Sequence, residues 1–329
     1  MADRLLDAYD ALLFDLDGTI YRGGQVIPSA VDAVQAARDN HTTIRFVTNN
    51  ASRSPKEVAT HLTNLGIHTD PEEVSTSAQA GAAVLADKLP KDTEVLVLGT
   101  AALAAEVTAV GLTPVRRTGP DTKAVVQGLS QTLDWADLAE AAIAIRAGAF
   151  WVACNVDRTL PTERGLLPGN GSLVHALRVA TDHEPVVAGK PAIPLMAESV
   201  KAAHARKPLV VGDRLDTDIE GAVAAGIDSL LVLTGVSTAA DLIDAGEHER
   251  PTYVAADAGA VTRPAAELEF GPKPGWDLRV DGDRVAVRGA GDPLDLLRAL
   301  CAVCWAAPAR LTVTGEHAAL GELGLTGSR

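Results

Sequence analysis

Ala11-Leu12-Leu13-Phe14-Asp15-Leu16-Asp17-Gly18-Thr19 is an apolar run that stops abruptly at two carboxylates, a glycine and a threonine. Such a run reads as a buried parallel strand. Ligand chemistry in open α/β sheets sits just beyond the carboxyl ends of those strands. Here the polar residues begin where the strand should stop. Asp15 and Asp17 are two positions apart, so an extended backbone sends them to one face. Neighbouring carboxylates repel unless a proton or a cation relieves them. A hard divalent ion such as Mg2+, which takes oxygen ligands, is the simplest relief. Gly18 lets the backbone leave the strand and come close to a ligand. Taken alone, the stretch also fits a buried strand followed by an acidic turn, so the rest of the chain has to decide.

Composition narrows the field. The chain has 329 residues, a formal net charge of −14 and 47% hydrophobic residues, which suits two or three globular domains with ample core. Aromatics are only 3%, so Ala, Val and Leu must fill that core. Net acidity argues against nucleic-acid binding and leaves an anionic substrate dependent on local cations. Cys154, Cys301 and Cys304 are too few and too odd in number for a disulfide framework. Cys301-x-x-Cys304 lies in an apolar helical run, Leu297 to Ala306, and reads as core. The N-terminus lacks a basic start followed by an apolar block, and no apolar run is long enough to span a bilayer. A cytoplasmic enzyme with no membrane partner is the expectation.

Working outward, strand and helix signals alternate. Ile44 to Thr48 is a second strand ending in Thr48-Asn49-Asn50. Ser54-Pro55-Lys56-Glu57 opens a helix with a capping box, and Gly66 stops it. Thr76 and Gln79 form a second box before a helix over Ala80 to Leu89. Strands are expected at Glu94 to Leu98, Lys123 to Gly128 and Trp151 to Asn155. Helices are expected at Ala101 to Val110, Asp134 to Ala147 and Val174 to Thr181. Val156 to Ser172 reads as a long loop, with Gly169-Asn-Gly171-Ser172 as a turn. After Gly189-Lys190-Pro191 come a helix over Ile193 to Ala205, a strand at Pro208 to Gly212, a helix over Ile219 to Ala225 and a last core strand at Ser229 to Leu233. This alternation is the signature of a parallel sheet covered on both faces. Beyond a Gly/Pro-rich linker near Arg263 to Gly275, Asp281-Gly-Asp signals a hairpin, followed by a helix to about Ala306 and a strand at Leu311 to Val313.

Four strand ends thus carry polar residues: Asp15/Asp17, Thr48/Asn49, Lys190 and Asp213/Asp218. Each alone is unremarkable, since Lys190 would be a solvated lysine and Thr48-Asn49-Asn50 a turn. Together they supply a nucleophile, a proton donor, a hydroxyl donor, a cation and a further metal carboxylate. Phosphoryl transfer asks for that set, because the attack is in line and charge spreads over the equatorial oxygens.

The motifs Asp15-Leu-Asp17-Gly-Thr19, Thr48-Asn-Asn50, Gly189-Lys190-Pro191 and Gly212-Asp213-Arg-Leu-Asp-Thr-Asp218 resemble those of haloacid-dehalogenase-superfamily phosphatases. The similarity is to the p-nitrophenyl-phosphate and phosphoglycolate phosphatase branch, in which a cap is inserted between the second and third motifs. The resemblance implies a Rossmann-like core over residues 1–77 and 183–264, an inserted α/β cap over 78–182, and a small α+β extension over 265–329. It implies that Asp15 attacks phosphorus and Asp17 protonates the leaving alkoxide and then activates water. Mg2+ would be held by Asp15, Asp17 through its carbonyl, and Asp213. Thr48 and Asn49 would hold phosphoryl oxygens, Lys190 would offset their charge, and Asp218 would orient Lys190 or a metal-bound water. Gly18, Asn155 and Arg214 complete the expected substrate contacts, with a purely structural role equally open for Arg214. Asp216 reads as a helix N-terminal acid.

The runs Ser75-Thr-Ser-Ala-Gln79, Val126-Gln-Gly-Leu-Ser130, Leu160 to Ser172 and Val211 to Gly221 look like those of actinobacterial glycerol 3-phosphate phosphatases. Glycerol 3-phosphate is therefore the first expected substrate, and 2-phosphoglycolate or a broader range of esters the alternative. A phosphate-ester-binding regulator without turnover is the rival of another class. The loop with Asn155-Val-Asp157 and Pro161-Thr162-Glu163-Arg164 is where a substrate's alcohol end would be met. The tail looks like a reduced acetyltransferase-type domain, yet it lacks a glycine-rich pyrophosphate loop. Packing on the core, or homodimer formation, is expected of it instead of acetyl transfer.

Overall fold

Runs rich in Val, Leu and Ala pair side by side and parallel, as strands shielded on both faces do. The computed structural model describes residues 3–325 other than 163 and 316. Its contacts divide the chain into two units, Met1–Ile44 with Ala205–Arg329, and Arg45–His204. No helix among the described residues is long and apolar enough to cross a membrane.

In the first unit the strands Tyr253–Ala255, Asp228–Val232, Pro208–Gly212 and Ala11–Phe14 lie next to one another in that order, all parallel. Ala11 pairs with Pro208 and Phe14 with Val211, so both strands reach their carboxyl ends together. Their next residues are Asp15 and Asp213. The register of two apolar strands thus brings the two carboxylates side by side. Helix Pro28–Asp39 buries Ala30, Ala33, Val34 and Ala37 on one face and leaves Val31 half-buried. The strand Tyr253–Ala255 is an addition to the sequence reading, which ended the core sheet at Leu233. Three residues are too few to show a pattern.

The C-terminal segment belongs to this unit. Trp276–Asp281 and Arg284–Gly289 form the expected hairpin around Asp281-Gly-Asp, and Thr312–Thr314 adds parallel to Arg284. Helix Pro293–Ala306 places Leu296, Leu297, Leu300 and Cys301 in one apolar cluster with Leu215, Ile219, Leu242 and Val254. Arg298 on that helix is fully buried. Its guanidinium donates to the Val254 carbonyl at 2.8 and 3.2 Å and pairs with Asp295 at 2.7 Å.

The second unit starts within the strand Thr43–Thr48, which pairs parallel with Val74–Thr76. It also holds a five-stranded parallel sheet in the order Val186–Val187, Phe150–Ala153, Thr122–Gln127, Glu94–Leu98, Thr113–Val115. Both capping boxes are formed: Glu57 accepts from Ser54 N at 2.7 Å, and Gln79 from Thr76 N at 2.9 Å.

The expected loop from Val156 to Ser172 differs. Thr159–Thr162 and Gly165–Pro168 make an antiparallel hairpin, and Asn170 already begins helix Asn170–Thr181. Residues 165–168 are exposed, so no buried face imposes an apolar alternation on the sequence. Glu163 lies outside the described residues.

Candidate functional site

The first unit gathers three carboxylates. Asp15, Asp213 and Asp218 each bring an oxygen within 4.8 Å of the others. Asp15 leaves its strand with its N–H still bonded to Val211 O at 2.9 Å. Asp213 is buried, and its Oδ2 accepts from Val236 N at 2.7 Å. Asp218 is buried in the single wide turn Leu215–Ile219 and accepts from Arg214 N at 3.2 Å. Turns of that width often mark functional positions. Carboxylates this close, two buried and one half-buried, repel strongly, and a divalent cation is the group that relieves them. The donor set is all oxygen, which fits Mg2+.

Space around Asp213 is made by two glycines. Gly18 has φ +90°, and a Cβ there would sit 2.5 Å from Asp213 Oδ2; at Gly235 it would sit 1.8 Å away. Gly235 is a residue that sequence reasoning missed. So is Thr234, whose hydroxyl donates to Gly18 O at 2.5 Å and fixes that turn. Both follow the strand Asp228–Val232, so position at a strand tip was the available signal. Asp17 is exposed, with the Tyr21 hydroxyl 3.5 Å from its Oδ2. Its side chain is not part of the three-carboxylate group. Arg214 forms a forked pair with Asp216, at 2.8 and 3.0 Å.

The second unit gathers Thr48, Asn49, Lys190 and Asn155. The Asn49 side chain reads both backbone groups of Lys190: its Oδ1 accepts from Lys190 N at 2.8 Å, and its Nδ2 donates to Lys190 O at 3.0 Å. Gly189 permits that approach, because a Cβ there would lie 2.6 Å from Asn49 Oδ1. The Gly-Lys-Pro and Thr-Asn-Asn motifs are therefore two halves of one clasp. Lys190 is buried, and its Nζ donates to Val47 O at 3.1 Å. Thr48 is buried and its Oγ1 accepts from Asn50 N at 3.1 Å. Asn155 donates to Asn49 O at 2.7 Å, and Asp157 accepts from Asn49 Nδ2 at 3.2 Å.

The cysteines stand apart from this chemistry. Burial pushes the Cys154 thiol up to about 12 and Cys304 to about 11, and raises Cys301 well above the ordinary range. Such thiols are inert packing groups.

Known proteins resemble the chain along most of its length. Residues 12–113 match the haloacid dehalogenase-like hydrolase family, residues 187–261 a HAD-hydrolase-like family, and residues 273–325 a GCN5-related N-acetyltransferase-like domain. The chain is 53% identical to the D-glycerol 3-phosphate phosphatase of Mycobacterium tuberculosis over 310 residues, covering 92% of this chain and 87% of that protein. A 5'-nucleotidase of Bacillus subtilis is 38% identical over 250 residues, covering 75% and 95%. A crystal structure of the M. tuberculosis glycerol phosphate phosphatase with magnesium superposes with a TM-score of 0.95 at 50% identity, covering 99% of this chain and 100% of that one. A thermostable NPPase from Geobacillus stearothermophilus gives 0.70 at 33% identity, covering 77% and 97%. With relatives this similar aligned over most of their length, the chain belongs to the haloacid dehalogenase-like hydrolase family.

Proposed function

We propose that this protein is a Mg2+-dependent phosphatase that hydrolyses small phosphate monoesters, glycerol 3-phosphate first among them. The observation that carries the reading is the group of Asp15, Asp213 and Asp218 at the tips of two paired strands. The likeness to the M. tuberculosis enzyme supports the choice of substrate.

In this reading an Asp15 oxygen attacks phosphorus and the bond to the alcohol oxygen breaks. Asp17 gives its proton to that oxygen. Asp17, now a carboxylate, takes a proton from water, which attacks the aspartyl-phosphate and returns Asp15 with inorganic phosphate released. Thr48 and the Asn49 backbone hold phosphoryl oxygens, and Lys190 neutralises charge as it spreads. Asp15, Asp213 and Asp218, with the Asp17 carbonyl, are the groups that would hold Mg2+. The bound ion would screen the nucleophile from its anionic substrate. Asp218 is thereby a candidate ligand, beside the expectation that it orients Lys190 or a metal-bound water. Gly18 stays assigned to the substrate side, and for Arg214, forked onto Asp216, a structural role stands beside that one.

The division into a core over 1–77 and 183–264, a cap over 78–182 and an extension over 265–329 belongs to the same proposal. It is supported by the family matches at 187–261 and 273–325. A cytoplasmic location, no nucleic-acid partner and homodimer formation complete it.

The test is phosphate release from glycerol 3-phosphate, 2-phosphoglycolate and p-nitrophenyl phosphate at equal concentration. Glycerol 3-phosphate should give the highest kcat/KM of the two metabolites, with activity lost in EDTA and restored by Mg2+. Preference for 2-phosphoglycolate would overturn the substrate, and release from no ester would favour a binding protein.

A further inference from the structure

We propose that Asn155 is a positioning residue that fixes the Thr48 hydroxyl as a donor, acting through the peptide between Asn49 and Asn50. The inference rests on the phosphoryl-binding role given to Thr48 above. Asn155 follows the strand Phe150–Ala153 and is 5% exposed. Its Nδ2 donates to Asn49 O at 2.7 Å, and Ser77 Oγ donates to the same oxygen at 2.5 Å. Two donors hold that carbonyl to one side. A trans peptide is planar, so the N–H of Asn50 points the opposite way. It donates to Thr48 Oγ1 at 3.1 Å. A hydroxyl that already accepts from the backbone has its own proton directed elsewhere, which makes it a donor to an incoming oxygen.

Asn155 is itself held from three directions. Asn170 Nδ2 donates to Asn155 O at 2.7 Å, and Asp157 N donates to Asn155 Oδ1 at 3.3 Å. Asp157 Oδ1 in turn accepts from Asn49 Nδ2 at 3.2 Å, closing a ring of Asn49, Asn155 and Asp157. The ring admits one amide orientation, because Nδ2 of Asn155 faces a carbonyl and Oδ1 faces an N–H. Sequence reading set Asn155 against the substrate. With both ends of its amide bonded inside the protein, its effect on the reaction runs through Thr48.

The test is a double-mutant cycle on Asn155→Asp and Thr48→Val, assayed with glycerol 3-phosphate and p-nitrophenyl phosphate. Asn155→Asp is isosteric and sets an acceptor against the Asn49 carbonyl. It should lower kcat about ten- to a hundredfold with little change in KM, by the same factor for both esters. In the Thr48→Val background the same change should cost less than about twofold. Losses that multiply in full, or that differ between the two esters, would overturn the inference. Melting curves check that Asn155→Asp folds. If it does not, Ser77→Ala removes the other bond to the same carbonyl, and its cycle with Thr48→Val decides in the same way. Should Thr48→Val alone keep the wild-type kcat, the role of Thr48 falls and the inference with it. If Thr48→Val is damaged and the second change multiplies, only the inference falls.

Discussion

Asp213 shows how much of a site is decided by residues that carry no chemistry. Its carboxylate occupies a space that exists only because positions 18 and 235 lack a Cβ. Gly235→Ala should displace it, and kcat should fall at least about a hundredfold with weakened Mg2+ dependence, read from a metal titration of activity. Asp15→Asn should remove turnover almost entirely. Asp17→Asn should be graded by leaving group, mild on p-nitrophenyl phosphate and severe on glycerol 3-phosphate, because only a poor leaving group needs the proton. Equal damage to both esters would count against the proton-donor role. The charged members of the site were legible in the sequence because each stands where an apolar run stops. Thr234 and Gly235 were not, since a hydroxyl and a glycine after a strand look like any turn.

At the level of single elements, local chemistry was readable and non-local contacts were not. Ser54 with Glu57, and Thr76 with Gln79, are contacts three residues apart, and spacing alone reveals them. Nothing near Arg298 announces that its partner is a carbonyl 44 residues away, at Val254. Arg298→Met should lower stability by about 2–4 kcal/mol, because it strands Asp295 and a buried carbonyl; denaturant melts give the value.

Helix Ala101–Ala109 offers a gentler case. Burial raises the carboxyl pKa of Glu106 there. The ionised form is thus the one the fold disfavours. That penalty is full at neutral pH and fades as pH falls through the raised pKa and below the unfolded value. Glu106→Gln should therefore raise the melting temperature near about pH 7.5 and leave it unchanged near about pH 4.

Over the whole molecule, the tail is a structural part of the first unit. Leu296, Leu297 and Leu300 share one apolar cluster with Leu215, Ile219, Leu242 and Val254. Ending the chain after Arg263 would bare that surface while leaving every proposed catalytic residue in place. Soluble yield should collapse, and whatever stays soluble should still release phosphate. A truncated chain that remains soluble and stable would show that the packing is dispensable. Fold class and motif order were legible in the sequence because strand ends and helix caps recur along the chain. Packing of the tail on the core was one of two expectations for it, but the residues it meets were not legible, since burial against distant residues leaves no periodic trace.

The five-stranded sheet of the second unit runs, by chain order, 2-1-3-4-5, the topology of a free-standing doubly wound domain. Its last strand, Val186–Val187, lies past residue 182, where the proposed cap ends, so the ladder is completed by the segment that follows it. A graft that exchanged residues 78–182 alone would leave Val186–Val187 behind, so a swapped module has to bring that strand with it and keep an asparagine at position 155.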